Sequence, residues 1–226
     1  MPTEIAVRMK DVATYVAPIM KAAGFRKRAN NFNRLTADGL THVLGFEMAR
    51  FEPIPPNLSA GDQRRVMESR ARVLGPSKYG SFTVNLGVFI PEIHRVQFST
   101  TPTFIGAHDC QILQRLGHIM ERGDEGWWSL DPPTPEIGLR MSELISEYGI
   151  PYLDSFPDRE AIHAKWDAGD DPFRYPRPLF DLAVMRHASG DLATATSLMQ
   201  AHAAAANDRH LPFVREVSRR LGIQLD

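Results

Sequence analysis

Ser81-Phe82-Thr83-Val84-Asn85-Leu86-Gly87-Val88-Phe89-Ile90-Pro91 decides the fold class. Phe82, Val84, Leu86, Val88 and Ile90 fall on alternate positions, with Thr83, Asn85, Gly87 and Phe89 between them. That is the two-residue period of a half-buried strand. Its apolar side must pack on helices. Its other side carries a hydroxyl, an amide and a glycine that admits close approach to the backbone, so this face is the expected working surface.

Working outward, the segment before it holds a second strand. Leu40, His42, Leu44, Phe46 and Met48 alternate with Thr41, Val43, Gly45 and Glu47, and Asp38-Gly39 supplies a hairpin turn to a short extended stretch ending at Leu35. Thr3 to Ala23 carries Ile5, Met9, Val12, Val16, Ile19 and Met20 at helical spacing, with Thr3 as N-cap and Gly24 as stop. Pro18 predicts a kink or split of that helix near Val16. From Phe51 to Lys78 the prolines at 53, 55 and 56 break the pattern, and Ala60 to Leu74 reads as a polar, arginine-rich helix outside the sheet.

After Pro91 the chain reads as irregular from Val96 to Cys110. Strands are then expected over Cys110–Met120 and Gly126–Leu130. Pro135-Glu136 opens a helix with Ile137, Met141, Leu144, Ile145 and Tyr148 on one face, and Gly149-Ile150-Pro151 should end it. Further helices follow at Asp158–Ala168, Leu179–Ser189, Leu192–Ala206 and His210–Leu221, and the Gly190-Asp191 turn is similar to one tetratricopeptide hairpin. The fold class is therefore α+β: an antiparallel sheet of about four or five strands packed against helices, with an all-helical C-terminal extension. Residues 1–150 form the α+β domain and 151–226 the extension.

Composition narrows the function classes. The 226 residues are 43% hydrophobic and 23% charged, enough for a substantial core, and the net charge of −1 gives no global pull towards nucleic acid or an acidic membrane. A single cysteine, Cys110, excludes an intrachain disulfide framework, and no apolar core of a secretory signal opens the chain, so a cytoplasmic location is expected. No apolar run approaches the roughly 20 residues a membrane span needs.

The candidate residues fall in four groups. His108-Asp109-Cys110, with His94 and His118 nearby, is the one cluster with both nucleophile and metal-ligand chemistry. A cysteine nucleophile needs a base in contact and zinc needs three or four converging ligands, and neither spacing matches a known signature. Cys110 opens an apolar segment, where a free cysteine commonly serves as a small buried hydrophobe. Trp127 and Trp128 must point to opposite faces of an extended chain, so one can anchor the core and the other a partner. Arg34, Asn85 and Arg115 sit on predicted strands, where they either bind a carboxylate or backbone amide or fix strand register. Arg26-Lys27-Arg28, Arg64-Arg65, Arg70 and Arg72 give the first third a basic bias, whereas Phe25 and Phe32 read as core and not as stacking platforms. The acidic runs at Asp154, Asp158 and Glu160 and at Asp167, Asp170 and Asp171 lack the spacing of a calcium loop and read as caps. No cofactor or metal is expected.

Three local patterns occur in order: Gly24-Phe25-Arg26-Lys27-Arg28 with Phe32 and Arg34; Phe82 to Phe89; and Cys110, Arg115-Leu116-Gly117 and Trp127-Trp128. Together they resemble domain of unknown function family 4304 over about residues 5 to 130. The resemblance implies a small α+β domain of bacterial origin and implies no activity. The 51–78 segment departs from that pattern. The expectation is a bacterial, cytoplasmic, non-enzymatic domain that holds a protein partner, as an immunity protein holds a toxin. The alternatives are a hydrolase or transferase using Cys110 with a nearby histidine, and nucleic-acid binding through the basic first third.

Overall fold

The structure is a computed structural model that describes residues 3–49, 59, 61–62, 64–66, 68–69, 79–98, 100, 102–120, 126–175 and 177–225. Helix α1, Glu4–Ala22, starts where Thr3 Oγ1 accepts the Ala6 N–H at 3.3 Å. Gly24 ends it at φ +84°, a conformation that favours glycine. Contrary to expectation, α1 runs through Pro18 as one helix. The proline removes the donor that Thr14 C=O would accept from, but Thr14 and Pro18 are both exposed, so water can satisfy that carbonyl.

Six strands follow among the described residues: β1 Arg26–Arg28, β2 Asn31–Leu35, β3 Thr41–Met48, β4 Ser81–Phe89, β5 Ile112–Arg115 and β6 Trp127–Ser129. The sheet is antiparallel, in the order β1-β2-β3-β4-β5, and β6 also pairs with β4. Ser81 lies opposite Ser129, Phe82 opposite Trp128 and Thr83 opposite Trp127. At the other end of β4, Gln111 N–H donates to Val88 C=O at 3.2 Å as the chain enters β5. One long strand thus serves two short ones in series.

β4 is buried on both faces, not one. Thr83 is 0% exposed and Asn85 6%, alongside Phe82, Val84, Leu86 and Val88 at 0%. Gly87 explains part of this: a Cβ there would lie 2.6 Å from Cys110 Sγ, so the missing side chain lets the cysteine pack onto the strand.

Helix α2, Pro91–Gln97, begins with Pro91 at its first turn, where no N–H is required. Only Ile112–Arg115 of the expected 110–120 strand is extended; helix α3, Leu116–Ile119, takes over. Helix α4, Thr134–Leu144, does not end at Gly149. It passes through a π-helical turn, Ile145–Gly149, into α5, Ile150–Asp154. Pro151 lies just past the π-helical turn, where the backbone ladder is already altered, and the run continues through it. The C-terminal extension is helical throughout its regular elements: α6 Arg159–Asp167, α7 Pro178–Ala188, α8 Leu192–Ala205 and α9 Leu211–Leu221. Asp158 caps α6, as expected of its acidic run, and Asp191 caps α8. Most of the 51–78 excursion lies outside the described residues; those described between 61 and 69 are helical.

The chain forms two compact units, one of residues 1–32, 45–85 and 115–150, the other of 33–44, 86–114 and 151–226. In the first, Phe32, Phe46, Phe82 and Trp128 make a run of rings at 6.0–6.3 Å spacing. In the second, Val43, Phe89, Ile105 and Cys110 form one buried cluster.

Candidate functional site

The cysteine cluster is dispersed by its surroundings. Cys110 is 1% exposed, and its thiol donates to the Gly106 carbonyl across 3.6 Å. Burial, and then the Asp109 carboxylate, push the thiol well above its ordinary range, against formation of a thiolate. His94 is buried, but its Nε2 donates to the Thr100 carbonyl at 3.0 Å and its ring lies between Phe89 and Phe98. His108 is exposed beside Asp109, 3.5 Å from its carboxylate. His118 is exposed on α3. Among the described residues, no group of three His, Cys, Asp or Glu side chains converges as metal ligands would.

The three polar strand residues each engage different partners. Arg34, on β2, donates to His42 Nδ1 at 2.8 Å and pairs with Asp154, while His42 Nε2 donates to the Phe156 carbonyl at 2.8 Å. Accepting from Arg34 at Nδ1 while donating from Nε2 requires a neutral imidazole on His42. Burial lowers its pKa, and the Arg34 charge lowers it further, against the opposing pull of the Phe156 carbonyl and Asp154. Asn85 Nδ2 donates to Glu47 Oε2 at 2.7 Å, across neighbouring strands. Arg115, at the end of β5, stacks its guanidinium 5.4 Å above the Trp127 ring.

Trp128 does something else. It is half-buried, rests against Phe82 at 6.0 Å, and lines a cleft of about 180 Å³ with Pro132, Glu136, Ile137, Arg140 and Met141. Ile137 and Met141 lie four residues apart on α4 and are buried; Glu136 and Arg140 lie four apart beside them and are exposed. The cleft therefore has an apolar floor and a charged rim. The helical spacing of 136, 137, 140 and 141 is visible in the sequence, but nothing local says that Trp128 meets it.

The basic segment divides. All of β1 is exposed, and Lys27 Nζ donates to Thr14 Oγ1 at 3.0 Å. Arg64 pairs with Glu68 at 3.1 Å; Arg70 and Arg72 lie outside the described residues. Phe25 and Phe32 are 4% and 1% exposed, so neither ring is available to stack on a base.

Two polar clusters had no signal in the sequence, because their members come together only in the fold. Arg159 donates to both Glu92 oxygens, at 2.6 and 2.8 Å, and to Asp38 Oδ2 at 2.7 Å. These hydrogen bonds raise the Arg159 pKa further above its ordinary value. Asp181, 0% exposed, lies 3.6 Å from Arg177, whose guanidinium stacks on Tyr175 and Phe180. Burial raises the Asp181 carboxyl to about 7 against the pull of Arg177.

No curated protein and no solved structure matches the chain. Residues 73–155 match the family Domain of unknown function (DUF4304), an uncharacterised bacterial domain, in a span that holds β4, Cys110, Arg115-Leu116-Gly117 and Trp127-Trp128 and leaves Gly24 to Arg34 outside it.

Proposed function

We propose that this is a non-enzymatic, cytoplasmic protein-binding domain of the interaction or immunity type, and that the cleft beside Trp128 is where it holds its partner. The carrying observation is the composition of that cleft. A half-exposed tryptophan over Ile137 and Met141, rimmed by Glu136 and Arg140, is the anchor-and-rim arrangement of a protein interface. Arg34, Asn85 and Arg115, the other expected binding residues, are engaged within the fold and are not part of this cleft. The raised thiol of Cys110 opposes the hydrolase or transferase alternative, since the thiolate is the reactive species. Described residues include no helix long and apolar enough to cross a membrane.

The test is a photo-crosslinking amino acid placed at exposed position 136 and expressed in the native host. One protein should be trapped, and Arg140→Glu, at a position whose side chain is 60% exposed and therefore tolerant, should weaken the adduct. Trp128→Ala should weaken it about thirtyfold, as a buried aromatic anchor does. An adduct undiminished in both variants, or no adduct together with Cys110-dependent turnover of a hydrolase substrate panel, would overturn the proposal.

A further inference from the structure

Where the last three helices meet, four rings close into a cycle. Phe180 of α7 meets His202 of α8 at 5.6 Å, His202 meets His210 at 5.5 Å, His210 meets Phe213 of α9 at 5.5 Å, and Phe213 returns to Phe180 at 5.6 Å. His210 is the residue immediately before α9, so both imidazoles bear on how that helix docks. His202 is 9% exposed, and the Nε2 atoms of His202 and His210 are buried with no hydrogen-bond partner among the described residues. An imidazolium carries a donor on each nitrogen, and a buried donor without an acceptor is costly. The site accommodates neutral rings and has no arrangement for a charged one.

We infer that this ring cycle makes α9 a proton-released element, docked while His202 is neutral and set free when it gains a proton.

The charges around His202 point the same way: it is faced by Arg177, just before α7, and by His210, just before α9. Burial lowers the His202 pKa, and the neighbouring His210 and Arg177 charges lower it further. A histidine whose folded pKa is depressed stabilises the docked state above its unfolded pKa of about 6.5, and that contribution is lost as pH falls below it. His187 of α7 donates Nε2 to the Leu221 carbonyl at 2.9 Å, a tie to the end of α9 that lies outside the ring cycle. Freed of α9, the buried side chains of Phe180 and Met199, and of Val214 and Val217 on α9 itself, would become an apolar surface available below neutrality.

Hydrogen exchange of the full chain tests this without reference to any partner. Between about pH 7.5 and 5.5, corrected for intrinsic rates, α9 amides should lose about tenfold in protection while β4 amides stay within about twofold. His202→Phe with His210→Phe keeps four rings but removes both imidazoles, and should hold α9 protection at the lower pH within about twofold of its value at the higher. Unchanged α9 protection in the wild type, or an equal fall in the double variant, overturns the inference. If the double variant does not fold, nitrogen NMR of the wild-type imidazoles decides: titration of His202 below about 6.5 supports it, and titration at or above that value overturns it.

Discussion

Asp181 shows what one buried carboxyl does to stability. With no exposed surface and a loose 3.6 Å approach to Arg177 as its charge partner, its ionisation is opposed by desolvation more than it is favoured by the guanidinium. The folded-state pKa of about 7, against 3.8 for the free side chain, means the folded protein holds a proton between those values that the unfolded chain releases. Stability contributed by this group is therefore present below about 4 and is lost as pH rises through 7. Asp181→Asn keeps the shape and removes the titration. It should raise unfolding free energy at about pH 8 by on the order of 3 kcal/mol and leave stability below about pH 4 nearly unchanged. Urea unfolding at both pH values checks this, and a loss of stability at the higher pH would contradict it.

At the scale of elements, Arg159 shows how a single side chain locks three of them. Sitting in the first turn of α6, it grips the Glu92 carboxylate in the first turn of α2 through two parallel bonds and reaches Asp38 in the turn between β2 and β3. Its own N–H also donates to Asp38 Oδ2 at 2.9 Å. The Glu92 side chain is only 7% exposed, so removing the arginine strands a nearly buried carboxylate. Arg159→Ala should cost about 2–4 kcal/mol in chemical denaturation. Arg159→Lys keeps the charge but not the two-pronged grip, and should recover only part of that loss. Equal stability of Arg159→Lys and the wild type would show that charge alone matters. The clamp could not be read from the sequence, because Asp38, Glu92 and Arg159 lie far apart in the chain and none belongs to a local pattern. Asp158 was legible for the opposite reason: an N-cap acts on residues three positions away.

For the molecule as a whole, periodicity in the sequence carried the architecture and misled about its surfaces. Alternation along 81–90 identifies a strand, but it reports contrast between neighbouring side chains and not how many layers cover them. Thr83 is enclosed because its hydroxyl donates to the Gly126 carbonyl at 2.8 Å, and Asn85 because Glu47 takes its amide. Helix α2 escaped notice since Glu92 and His94, both polar, are among its buried residues, which erases the amphipathic signal. In the candidate site, adjacency of Trp127 and Trp128 indicated that they separate; it could not say that one would lie beneath Arg115 and the other beside α4. Cys110 was ambiguous in sequence because the same residue type serves as nucleophile and as small hydrophobe, and only packing against Val43, Phe89 and Ile105 distinguishes the two.

That assignment of Cys110 to the core, on which the proposal of the Trp128 cleft as the working surface rests, is tested most directly by alkylation of the native protein with a small thiol reagent from about pH 6 to 9. The expected result is protection at every pH, with labelling no faster than global unfolding. Rapid labelling with a midpoint below about 8.5, slowed by substitution of His94 or His108, would contradict it and place the chemistry at the cysteine.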